Sequence, residues 1–155
     1  MLSKGILLNN ESETKELARK IAPLLSAPFV IALQGDIGTG KTTLVRALLQ
    51  ALNVRENIKS PTFSLVETYE LPQINCDFHH FDLYRLEEEP SLTTLGFSDY
   101  FTPYAICCIE WHERSKSLLA SVDLLLKFEW LPEKRRVTLT SLSLKALELL
   151  QKLEI

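Results

Sequence analysis

The chain has 155 residues, 46% of them hydrophobic and 24% charged, with a formal net charge of −3. That is the composition of one ordinary globular domain, long enough to bury roughly two-thirds of the surface its unfolded chain exposes. The negative balance offers no broad positive field for nucleic acid, so any RNA in its function is expected to be held by a partner.

The first eight residues, Met1 to Leu8, contain no apolar stretch long enough for a signal peptide or a membrane span, and a soluble cytoplasmic protein with no membrane contact is expected. From Glu11 to Leu25 an amphipathic helix is predicted. Leu17, Ile21, Leu24 and Leu25 fall on one face, with Asn10 or Ser12 as its cap. The apolar run Phe29-Val30-Ile31-Ala32-Leu33 reads as a buried strand.

Immediately after it, Gly35-Asp36-Ile37-Gly38-Thr39-Gly40-Lys41-Thr42 fits G-x-x-x-x-G-K-[ST], the P-loop pattern. Leu44, Val45, Leu48, Leu49 and Leu52 follow at helical spacing, so the loop joins a strand to a helix start, the context that the pattern requires. Glycines there accept unusual φ/ψ and leave backbone N–H groups from Gly38 to Thr43 free to surround a phosphate chain. Lys41 would neutralise the terminal phosphates, and Thr42 would offer its hydroxyl to Mg²⁺.

Beyond this helix, Thr62 to Leu71 and Phe78 to Tyr84 are two β-rich runs too close together for a parallel crossover, so an antiparallel hairpin is predicted. Leu86 to Phe101 reads as short surface helices, and Tyr104 to Ile109 as a buried strand that ends at Glu110-Trp111. Val122 to Trp130 and Arg136 to Leu142 look like strands either side of a turn at Pro132 to Arg135, and Leu144 to Leu153 reads as a closing helix. Cys76, Cys107 and Cys108 have no C-x-x-C spacing and read as reduced, mostly buried thiols.

Two acids stand out. Glu110 ends an apolar strand, where an α/β sheet presents its ligand crevice, and in a P-loop protein such an acid reaches Mg²⁺ or its water. Asp82 interrupts the apolar pattern Phe81-Asp82-Leu83-Tyr84. An ion pair with Arg85 is one reading; a metal or a phosphate-side lysine fits better, because neighbouring strand residues point apart. His79, His80 and His112 lack metal-ligand spacing and read as structural or surface residues.

Taken together, the P-loop through Thr43, Lys59-Ser60-Pro61-Thr62-Phe63, His80-Phe81-Asp82-Leu83-Tyr84-Arg85, Gly96 with Asp99-Tyr100-Phe101, and Glu110-Trp111 make the chain resemble the bacterial TsaE family, formerly called YjeE. The resemblance implies a single α/β P-loop domain over residues 1–155, with a mixed sheet flanked by helices and with ATP and Mg²⁺ as ligands. It also implies a slow, partner-dependent ATPase working with TsaB and TsaD on threonylcarbamoyladenosine in tRNA, without performing the transfer itself. By the same resemblance Lys41, Asp82 and Glu110 are catalytic, and Thr42, Asp82 and Glu110 serve the metal. Trp111 then lies close to the nucleotide, Ser60 and Thr62 fall in a nucleotide-sensing loop, and Arg135 reaches the adenine or ribose side.

A small-metabolite kinase is the alternative from the same P-loop class, although the arginines are scattered and no lid-sized insertion follows Glu110. A GTPase switch would need K-x-D and D-x-x-G motifs after the P-loop, and the sequence has neither. A non-catalytic ATP-binding scaffold is the third reading.

Overall fold

The computed structural model describes residues 1–61, 65–85, 96–111, 113 and 116–155. Seven strands form one sheet: β1 (Ser3–Leu8), β2 (Phe29–Gln34), β3 (Val66–Leu71), β4 (Cys76–Asp82), β5 (Ala105–Glu110), β6 (Leu124–Leu131) and β7 (Lys134–Ser141), in the order β1-β7-β6-β2-β5-β4-β3. The central run β6-β2-β5-β4 is parallel. The outer pairs β1–β7, β6–β7 and β3–β4 are antiparallel, which gives the mixed α/β sheet expected.

Three helices, α1 (Glu11–Ile21), α2 (Lys41–Ala51) and α3 (Leu144–Lys152), share one core with this sheet. Ile31 and Leu33 of β2, Cys108 of β5 and Leu126 of β6 meet Leu17 of α1, Leu44 and Leu48 of α2 and Leu149 of α3. Leu44 and Leu48 are almost fully buried, and each such side chain stabilises the fold by about 1.5–3 kcal/mol. Alternation along the strands sends Phe81, Cys107 and Ile109 into a second, smaller core with Phe97 and Leu118.

Several boundaries differ from the sequence expectation. The first helix stops at Ile21 and continues only as a 3-10 turn over Ala22–Leu24, because Pro23 lacks the N–H that another helical turn needs. Asn10 is its cap, accepting the Glu13 N–H at 3.0 Å. The first eight residues, assigned no element from sequence, include an edge strand paired with β7. The expected hairpin forms as β3–β4, with Asp82 as the last residue of β4 and not in mid-strand. The turn between β6 and β7 is only Pro132-Glu133, so Arg135 belongs to β7.

Of the surface helices expected over Leu86 to Phe101, residues 86–95 lie outside the described residues. Phe97–Tyr100 is a 3-10 turn whose Phe97 is buried against Phe81, with ring centroids 5.3 Å apart. The three cysteines are free and buried, as expected, and burial pushes the Cys107 thiol up to about 12, which keeps it protonated.

Candidate nucleotide and metal site

Parallel strands carry their loops at their C-terminal ends, so the P-loop after β2, Asp82 at the end of β4 and Glu110 at the end of β5 converge on one edge of the sheet. Asp82 and Glu110 are direct partners in the β4–β5 register, and partners in register point to the same face. That face packs against α2, whose first turn holds Lys41 and Thr42. Sequence-distant acids are thereby brought to the P-loop by strand alternation and register.

The loop itself depends on two glycines. Gly40 caps α2 with φ 106°, a left-handed value unfavourable for side chains, which turns the chain into the helix without a side-chain cap. Gly35, at φ 149°, lies so close to β6 that an added Cβ would sit 2.7 Å from the Phe128 carbonyl oxygen. Thr39 is buried, and both its N–H (3.3 Å) and its hydroxyl (2.7 Å) donate to the Asp36 carbonyl, which braces the turn.

Lys41 is 5% exposed. Its ammonium donates to the carbonyls of Gly35 and Asp36 and lies 3.7 Å from the centroid of the Trp111 ring, a cation–π contact. Burial holds it below the ordinary lysine value, opposed by the nearby carboxylates of Glu110, Glu113, Asp82 and Asp36. Thr42 donates its hydroxyl hydrogen to Glu110 Oε1 at 3.1 Å. Glu110 is 2% exposed, and its Oε2 lies 2.6 Å from His80 Nε2. Asp82 Oδ1 accepts the Tyr84 N–H at 3.1 Å.

Lys41, Thr42, Asp82, Glu110 and Trp111 border a cleft of about 350 Å³. Gly38, Gly40, Lys41, Thr42 and Thr43 line one side, with Asp82, Glu110, Trp111 and Arg135 around them. Arg135 donates to the Gly38 carbonyl at 3.3 Å, and its guanidinium stacks on Trp130 at 4.7 Å, so it rests on the P-loop's outer turn. Ser60 also lines the cleft, while Thr62 lies outside the described residues.

Four neighbours were missed by sequence reasoning: Glu11 at the start of α1, Tyr84 with its ring 5.0 Å from Trp111, His80 on Glu110, and Trp130 beside Gly38. Tyr84 and His80 stand in the same short block as Asp82, where strand alternation already puts His80 on the Asp82 face. Glu11 and Trp130 carry no such local signal.

The donor set suits a hard cation. A hydroxyl and two carboxylates supply oxygen only, and Mg²⁺ is typically held by one or two carboxylates together with phosphate oxygens and water. Among the described residues no three His, Cys, Asp or Glu side chains gather into a metal cage of their own.

Comparison with known proteins bears on the family and the fold. The family model described as threonylcarbamoyl adenosine biosynthesis protein TsaE matches residues 8–138. A Haemophilus influenzae protein named tRNA threonylcarbamoyladenosine biosynthesis protein TsaE is 40% identical over 111 residues, covering 72% of this chain and 69% of that protein. Its Aquifex aeolicus namesake is 39% identical over 137 residues, covering 87% of this chain and 93% of that protein. The crystal structure of YdiB from Bacillus subtilis shares the fold, with a TM-score of 0.79 over 98% of this chain and 94% of that one at 22% identity. With a family match over most of its length and relatives near 40% identity, the chain belongs to the TsaE family.

Proposed function

We propose that this chain is a Mg²⁺-dependent ATPase that drives a step of threonylcarbamoyladenosine formation in tRNA, acting in the cytoplasm with TsaB and TsaD and leaving the group transfer to its partners. The observation that carries the reading is the direct contact between the P-loop and the acid of a separate strand, Thr42 Oγ1 to Glu110 Oε1 at 3.1 Å, with Asp82 beside it in register. Family membership supports the tRNA pathway, and the net charge of −3 favours contact with tRNA through partners. Free, buried thiols suit a reducing compartment, and no helix among the described residues is long and apolar enough to cross a membrane.

In this reading the backbone N–H groups of the P-loop and the Lys41 ammonium hold the phosphates, and Thr42 and Glu110, with Asp82, hold the metal. Mg²⁺, when bound, offsets charge that develops on the phosphate oxygens during transfer. Asp82 and Glu110 also orient the attacking water, and Trp111 with Tyr84 shields that end of the cleft from bulk solvent.

The test is ATP turnover by the purified chain, alone and with TsaB and TsaD, with product analysis. Inorganic phosphate released faster in the presence of the partners supports the proposal. A phosphorylated metabolite would favour the kinase, and the absence of turnover with both partners present would leave a nucleotide-binding scaffold.

A further inference from the structure

His80 lies on β4 two residues before Asp82, so both point to the face that carries Glu110. It is 1% exposed, and its Nε2 lies 2.6 Å from Glu110 Oε2. The other ring nitrogen, Nδ1, is buried with no hydrogen-bond partner among the described residues. A bare lone pair is easier to bury than an N–H that finds no acceptor, so the ring proton belongs on Nε2, which donates to the carboxylate. With Oε2 engaged by His80, the nearer bond from Thr42 goes to Oε1, at 3.1 Å against 3.4 Å to Oε2.

We propose that His80 is a positioning residue: its Nε2–H clamps Glu110 in the rotamer that presents the carboxylate to Thr42 and to the metal. This rests on the reading of Glu110 as a metal acid. Packing alone does not account for the residue, since Phe78 and Phe81 on the same strand fill core space without a buried polar pair, and replacing such pairs by apolar groups is often neutral or stabilising. Groups that orient a metal ligand from behind typically change metal affinity or activity by about 10–100-fold when lost.

The experiment uses the full chain with equimolar ADP, into which Mg²⁺ is titrated and followed by tryptophan emission. ATP turnover with TsaB and TsaD is measured in parallel. His80→Phe keeps a ring without the donor, His80→Asn carries an amide too short to reach Glu110, and His80→Gln places an amide nitrogen near the Nε2 position.

The Phe and Asn variants are expected to weaken Mg²⁺ binding and turnover by about 10–100-fold, with ADP affinity in EDTA within about twofold of the parent. The Gln variant is expected to recover most of the loss. Should the Phe variant not fold, the contrast between Asn and Gln decides. Parental Mg²⁺ affinity in the Phe or Asn variant, or a Gln variant no better than Asn, would overturn the proposal. Glu110→Ala in the same titration separates the two levels: if it too binds Mg²⁺ like the parent, the reading of Glu110 is wrong and this inference falls with it; if only the His80 variants are silent, the positioning role alone falls.

Discussion

Gly35→Ala is the sharpest structural test of how the P-loop is seated. An alanine Cβ at this position would lie 2.7 Å from the Phe128 carbonyl oxygen and 2.9 Å from Phe128 Cβ, both fixed parts of strand β6. The backbone φ of 149° adds strain of about 1–3 kcal/mol for any residue with a side chain. Overpacking against a strand that cannot swing away contributes a further ~1–3 kcal/mol. A loss of about 4 kcal/mol at the midpoint corresponds to a fall in Tm of roughly 8–16 °C for a chain of this size. The Gly35 carbonyl also accepts from the Lys41 ammonium, so relieving the clash displaces the lysine, and ATP affinity is expected to fall together with Tm. Gly5→Ala is the internal control, since nothing lies within 4 Å of its added Cβ, and it should melt within about 2 °C of the parent or slightly above. Thermal melts by circular dichroism, without nucleotide, read both. A Gly35→Ala chain that melts with the parent would refute the close approach of the P-loop to β6.

Lys41 gives a pH dependence of known sign. Because burial lowers its value in the fold below that of the unfolded chain, the native state holds fewer protons between the two values, and stability rises as pH climbs through that window toward the ordinary lysine value of 10.5. Lys41→Met should flatten this rise in nucleotide-free melts while abolishing turnover; an unchanged slope would mean that Lys41 is not the group responsible. Trp111 touches the Lys41 ammonium, whereas Trp130 stacks on Arg135 at the outer turn. The Mg²⁺-dependent part of the tryptophan response to ATP should therefore vanish in Trp111→Phe and survive in Trp130→Phe, and the reverse result would assign the metal end of the cleft to the wrong tryptophan.

The site was more legible than the sheet. A P-loop is a local demand on the backbone, and the glycines, Lys41 and Thr42 state it within eight positions, between an apolar run and a helical one. Glu110 reads from sequence as an acid ending an apolar strand and Asp82 as one within a strand, and nothing local says that β4 and β5 pair as parallel neighbours with these two residues in register. Strand β1 has no clear sequence signal because its side chains are exposed or half-exposed except for Leu8, and its pairing partners lie at the far end of the chain, as with Leu8 and Arg135. Arg135 lies in β7 and outside the expected four-residue turn because Glu133 accepts a left-handed φ of 62°, so two residues suffice to reverse the chain. The role of His80 needs both strand alternation and the β4–β5 register, which spacing rules for metal ligands do not contain.

The central claim is that Asp82 and Glu110, from separate strands, act on one metal-bound phosphate beside Thr42. The most direct measurement is ATP turnover by Asp82→Ala and Glu110→Ala in complex with TsaB and TsaD, with ATP affinity determined alongside. The P-loop amides and Lys41 provide most of the ground-state attraction, so each variant should lose turnover by about 10²-fold or more while ATP binding changes only a few-fold. Near-parental turnover in either variant would contradict the account and return that acid to the scaffold.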